Sequence, residues 1–125
     1  MEDTKREIFI ADLCHLVWQY FERKNGLDVP TSPSKEQFDS ILAGIEAMDK
    51  NPNMTPEESH ENWMKHKIQN GWKYGLVKNS EAKTHPDIRP YSELPKAEQD
   101  KNKLFIQSYH TGVSFWNDLH RSKEN

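Results

Sequence analysis

Two apolar stripes at helical spacing constrain this 125-residue chain more than any other feature. Ile10, Leu13, Cys14, Val17 and Phe21 fall at i, i+3, i+4, i+7 and i+11; Phe38, Ile41, Leu42, Ile45 and Met48 form a second such set. Residues spaced this way share one face of a helix, and that face has to be covered by another element. A helix from about Thr4 to Lys24 and a second from about Ser34 to Lys50 are expected to pair over residues 1–50. Phe9, Leu16 and Tyr20 widen the first stripe, which predicts cover on more than one side. Asn25-Gly26 ends that helix, because the pair tolerates the left-handed conformation of a C-terminal cap. Ser34 and Gln37 have capping-box spacing, Gly44 and Ala47 allow close approach, and Asn51-Pro52-Asn53 stops the second helix.

Thr55-Pro56-Glu57-Glu58 is a helix-start signal: threonine caps, proline fits the first turn and the second glutamate closes the box. The third helix is predicted to reach Asn70 and stop at Gly71. Its apolar stripe is little more than Trp63, Met64 and Ile68, so most of its surface is expected to be exposed. Gly75, Pro86, Pro90 and Pro95 then punctuate a long loop in which Trp72-Lys73-Tyr74 alternates like a short strand. A last helix starts near Pro95 and passes Leu104, Phe105 and Tyr109; Gly112 is a candidate break before Val113, Trp116 and Leu119. The expected architecture is mostly α: one domain over residues 1–125, with three to four helices and a long loop or short two-stranded β-ribbon between the last two. Within it, 1–50 is a helical pair, 104–120 a C-terminal helical segment and 121–125 a frayed tail.

Composition narrows the function classes. Only 34% of residues are hydrophobic and mean hydropathy is −1.02, which points to a thin core. The aromatic share of 10% and a net charge of −3 argue against a disordered chain. No apolar run is long enough for a bilayer and no signal segment opens the sequence, so neither a membrane protein nor a secreted precursor is expected. Cys14 is the single cysteine; it excludes an internal disulfide and a multi-cysteine zinc site, and it suits the cytoplasm.

Charge is unevenly placed. Residues 1–50 carry ten acidic and six basic side chains, whereas Asn62–Ser80 holds Lys65, Lys67, Lys73 and Lys78 and no acid. A local positive segment in an acidic protein attracts small anions, and four scattered arginines disfavour a nucleic-acid partner. Neither a nucleophile elbow nor a glycine-rich phosphate loop occurs. His60-Glu61 lacks the second zincin histidine, that position being Met64, and His66 is expected to face elsewhere. Catalytic residues, metal and cofactor are accordingly not expected.

Between Thr55 and Lys103 the chain carries His60-Glu61-x-Trp63, Gly71-Trp72-x-Tyr74-Gly75, His85-Pro86 and Pro90-Tyr91-x-x-Leu94-Pro95, in that order. This series resembles the ryanodine-receptor repeat, the RyR domain, and the shorter flanks resemble its stand-alone bacterial and phage members. Leu76 departs from the pattern where proline is usual, and Asp87 where cysteine or another small residue is common. The resemblance implies a helical module without catalytic activity. It also implies adenine-nucleotide binding of the kind associated with some channel repeats, or sensing of nucleotide-derived signals. A single copy would reproduce the paired repeats of the channels as a homodimer.

The expected role is therefore a binding module for a small anionic, nucleotide-derived ligand, acting as a sensor or sponge. Trp63 and Lys67 lie one turn apart on one helix face, the pairing needed to stack a base beside its phosphates. Trp72, Tyr74 and Tyr91 would wall the pocket, and Lys73 and Arg89 would meet phosphate. Each has an ordinary structural reading: Trp63 as core anchor, Trp72 and Tyr74 pinning the ribbon, and His60 and His85 bracketing the loop. The alternative function is a protein–protein interaction module, or a homodimeric adaptor, built on the same aromatic and lysine surface.

Overall fold

A computed structural model describes residues 2–29 and 32–124. The chain is mostly helical, in the order α1 (Glu2–Lys24), α2 (Lys35–Lys50), α3 (Pro56–Gln69), β1 (Lys73–Tyr74), β2 (Thr84–His85), a 3-10 turn (Tyr91–Glu93) and α4 (Lys96–Glu124). Local signals set most of these boundaries. Ser34 and Gln37 exchange side-chain and backbone hydrogen bonds at the start of α2, and Thr55 and Glu58 do so at α3. Gly26 and Gly71 take positive φ after α1 and α3. At Gly71 the amides of Gly71 and Trp72 return to the carbonyls of Ile68 and Lys67, which satisfies the last carbonyls of α3 and turns the chain sharply.

The core is small. Ile10, Ala11, Cys14, Ile45, Met48 and Tyr109 are buried together, with Phe9, Phe38, Leu42 and Phe105 packed around them. Burial pushes the Cys14 thiol up to about 12, which leaves it unreactive. α1 and α4 run side by side, and a Cβ on Gly112 would stand 3.2 Å from the Ile10 side chain. Gly112 thus sits inside an unbroken α4 rather than ending it: its missing side chain is what lets the two helices approach. The helix also continues through 121–124, where a frayed tail was expected; Asn125 lies outside the described residues.

Outside the core, Asp49 accepts two hydrogen bonds of 3.1 Å from the Arg6 guanidinium and one from the Tyr109 hydroxyl, tying α2 to both long helices. β1 and β2 pair in parallel, Lys73 against Thr84 and Tyr74 against His85, and an antiparallel bridge between Asn79 and Thr84 closes the intervening loop.

Three expectations about burial change. Leu16 and Tyr20 do not widen the buried face of α1; they are 60% and 69% exposed. The buried neighbours on that helix are polar, namely His15, Gln19 and Glu22. On α3, Ile68 faces outward while Ser59, His60 and Lys67 are buried. His15 and Glu22 on α1, and Ser59, His60 and Lys67 on α3, turn inward because they line a cleft.

Ile45 is fully buried in a core this thin. Ile45→Ala should cost about 2–5 kcal/mol, against less than about 0.5 kcal/mol for Leu76→Ala on the exposed loop. Urea denaturation of the two variants measures both values.

Candidate functional site

A cleft of about 620 Å³ opens between α1, α2, α3, the β1–β2 loop and α4. His15, Trp18 and Glu22 face it from α1; His60, Trp63, His66 and Lys67 from α3; Glu98, Lys101 and Phe105 from α4. Lys78 from the β1–β2 loop, His85 from β2, and Asp87 and Arg89 from the segment after it complete the wall.

The loop is positioned from α3. His60 Nε2–H donates to the Arg89 carbonyl at 2.7 Å, so this histidine holds the loop path as its structural reading expected. His85 accepts the Asp87 amide on Nδ1 at 3.0 Å, which leaves its ring proton on Nε2. Trp63 lies between these two imidazoles, stacked on His60 at 5.6 Å between ring centres and edge-on to His85 at 5.0 Å. The indole is thereby fixed in place at the cleft wall.

Charge in the cleft falls into two groups. Lys101 Nζ is held by Glu22 at 2.9 Å and by Glu98 at 2.8 Å, an ion triad linking α1 to α4. Although burial alone would weaken its charge, these hydrogen bonds and fields hold the Lys101 ammonium above its ordinary range. Lys67, Lys78 and Arg89 form the other group. Lys67 is only 8% exposed, its nearest carboxylate is Glu36 at 3.8 Å, and its ammonium sits 5.0 Å above the Trp72 ring. Burial lowers the Lys67 pKa; Glu36 opposes that shift, while repulsion from Lys78 adds to it. Neither Lys78 nor Arg89 makes an ion pair among the described residues.

Three buried side-chain atoms have no hydrogen-bond partner among the described residues: His15 Nε2, His66 Nδ1 and Arg89 Nε. All three belong to residues that line this cleft. Buried polar atoms are rarely left unpaired without a reason, and a shared cavity suggests a common one.

Of the residues singled out in the sequence, Trp63, Lys67, Arg89 and His60 meet here. Trp72, Lys73, Tyr74 and Tyr91 do not line the cleft. Trp72 is buried, with its indole N–H donated to the Glu36 carboxylate, which is the pinning role of its structural reading. Lys73 and Tyr74 are exposed on β1, and Tyr91 lies behind His60 with its ring centre 6.2 Å away. Trp72 and Tyr74 therefore do not share an environment, because Trp72 still belongs to the turn that caps α3 and alternation begins only at Lys73. His66 reaches the same cleft as His60 instead of facing elsewhere. Sequence reading missed His15, Glu22, Glu98 and Lys101 as cleft residues. For His15 and Glu22 the available signal is a shared helix face, since His15, Trp18 and Glu22 recur at i, i+3 and i+7.

A family model described as RyR domain matches residues 45–116, more than half of the chain. The chain belongs to the RyR domain family. The matched segment runs from within α2 to Trp116 in α4, so it contains α3, the loop and nearly three-quarters of α4. The α1 wall of the cleft lies outside it. An RyR domain points to a binding or interaction module. Among the described residues no three His, Cys, Asp or Glu side chains converge as metal ligands, and no helix is long and apolar enough to cross a membrane.

Burial, together with the fields of Lys78 and Lys67, pushes the His85 imidazole down to about 4. An unfolded histidine protonates near 6.5, so the fold loses this residue's contribution as pH falls from about 6.5 through about 4. NMR titration should find the His85 ring neutral at pH 5. Stability should fall less over that window in His85→Asn, which retains an acceptor for the Asp87 amide.

Proposed function

We propose that this RyR domain is a non-enzymatic binding module whose ligand is a small, nucleotide-derived anion held in the α1–α4 cleft. The observation that carries the reading is Lys67: a buried ammonium without a hydrogen-bonded carboxylate, beside Lys78 and Arg89 and one turn from a fixed tryptophan. Buried charge is costly unless well paired, and an anionic ligand would add a hydrogen-bonded partner to the single 3.8 Å ion pair with Glu36. The volume of about 620 Å³ falls within the roughly 300–1,000 Å³ of small-molecule sites. In this reading Trp63 takes the base, and Lys67, Lys78 and Arg89 take phosphate. The unpaired atoms of His15 and His66 contact the remaining polar groups. A sensor or a sponge for a signalling nucleotide would both use such a site.

A second reading is supported by the loop tip, where Leu76 and Val77 are 84% and 73% exposed between Lys73 and Lys78. A protein partner, or a second copy of this chain, would cover them. In that case Leu76→Ser with Val77→Ser abolishes association in sedimentation velocity, and nucleotides leave the protein unchanged.

Thermal denaturation with AMP, ADP, cyclic dinucleotides and ADP-ribose separates the readings. A ligand at about 100 times its Kd adds about 2.7 kcal/mol, several degrees of Tm for a domain of this size. One member of the panel is expected to do this for the wild type and to lose the effect in Trp63→Ala and Lys67→Met. No shift with any of them contradicts the ligand reading.

A further inference from the structure

Three side chains around Trp63 carry N–H donors that no acceptor among the described residues takes up by hydrogen bonding. The first is on His66, where Asn70 settles the tautomer. The Asn70 side-chain amide donates to the His66 carbonyl at 2.9 Å and faces His66 Nε2 at 3.4 Å. An amide nitrogen only donates, so Nε2 carries the lone pair and the ring proton sits on Nδ1. That Nδ1 is buried and unpaired, as is Arg89 Nε, which can likewise only donate. The third is Lys67. Glu36 Oε1, the carboxylate oxygen it pairs with, stands at 3.8 Å, beyond hydrogen-bond distance, and accepts the Trp72 indole N–H.

The three belong to one wall. His66 and Lys67 lie three and four residues beyond Trp63 on α3, on its face of the helix. The Arg89 backbone is bonded to His60, and the His60 ring stacks on Trp63. Charge converges on the same side. Among the described residues Lys67, Lys78 and Arg89 have a single carboxylate in their ion pairs, Glu36, which leaves a surplus of two positive charges. Lys101, in the other group, is already held by Glu22 and Glu98, with Asp87 also in the cleft wall. An anion is therefore drawn to α3 and repelled from the carboxylates of the α1–α4 side.

We propose that the α3 wall is an oxyanion pocket for a doubly charged phosphate group, a phosphate monoester or a pyrophosphate, in which His66 Nδ1–H and Arg89 Nε–H donate to its oxygens and Lys67 supplies charge. The inference rests on the ligand reading of the cleft and sharpens it, giving His66 a phosphate oxygen rather than one of the ligand's other polar groups. A monoester presents three terminal oxygens and two charges, which match three donor side chains and the surplus charge. A pyrophosphate presents the same charge on two adjoining phosphorus atoms. A cyclic phosphodiester has two free oxygens and one charge, so it leaves a buried donor unsatisfied, and a site of this kind rejects the analogue that does so. His66 and Arg89 Nε are single N–H groups on planar frames, so they add direction to the attraction that the lysines supply.

Calorimetry at pH 8 and constant ionic strength tests the pocket with AMP, ADP, cyclic AMP and inorganic pyrophosphate; at that pH a monoester carries both charges. The wild type should bind AMP at least about tenfold more tightly than cyclic AMP. Arg89→Lys keeps the charge but removes the Nε–H, and His66→Phe keeps a ring but removes the donor. Each should weaken AMP and pyrophosphate at least about tenfold. Lys73→Met, on exposed β1 outside the cleft, should alter neither. Nitrogen-15 spectra of the wild-type histidine rings should show His66 protonated on Nδ1 and that resonance moving as pyrophosphate is added. Cyclic AMP bound as tightly as AMP overturns the pocket and leaves the ligand reading standing, as does AMP binding that survives both variants. Pyrophosphate binding that both variants weaken, with ADP no tighter than pyrophosphate, upholds the pocket and refutes the nucleotide reading. No binding by any of the four overturns both.

Discussion

The Lys101 ammonium, clamped between Glu22 and Glu98, is the interaction on which the cleft depends. It joins α1 to α4 outside the apolar core in which Ile10 and Cys14 meet Tyr109. Removing one partner from a buried charged group is strongly destabilising, so this triad constrains the sequence of α1 as firmly as a core residue would. Once α1 and α4 are fixed, α3 and the loop close the remaining side, and the space left between them has both polar groups and apolar side chains such as Val17, Phe21, Ile41 and Phe105 in its wall.

That arrangement explains the low apolar share of the chain. α3 has a poor apolar stripe because its inward face, from Ser59 through His60 and Trp63 to Lys67, is a cleft wall. The same holds for His15 and Glu22 on α1. Polar residues are buried at helical spacing in both, and each burial carries a desolvation cost that the ion triad and the His60–Arg89 bond offset in part. His15 Nε2, His66 Nδ1 and Arg89 Nε are where that offset is incomplete.

Helix boundaries were legible in the sequence because their determinants are local. Ser34–Gln37, Thr55–Glu58 and Gly71 act within one turn, and the apolar stripes of α1 and α2 set the core. Whether the last helix breaks at Gly112 was not legible, because the reason for that glycine lies on another helix, at Ile10. The site was legible in part: Trp63 and Lys67 share a face by spacing alone, and the motif residue His60 and the basic candidate Arg89 meet them. The carboxylates that organise the cleft were not legible, since Glu22 and Lys101 come together only through the tertiary packing of α1 on α4. Trp72 shows the same limit from the other side: its partner Glu36 belongs to α2, and that contact draws it into a structural role.

The central claim is that the Trp63 cleft is where a small anion binds. The indole N–H resonances of the four tryptophans report on it separately, since Trp18 and Trp63 line the cleft while Trp72 and Trp116 do not. Titrating nitrogen-15-labelled protein with ADP-ribose should move the Trp63 signal most, Trp18 to a lesser extent, and leave Trp116 in place. Signals that stay fixed throughout, or that move only at Trp116, would contradict the account.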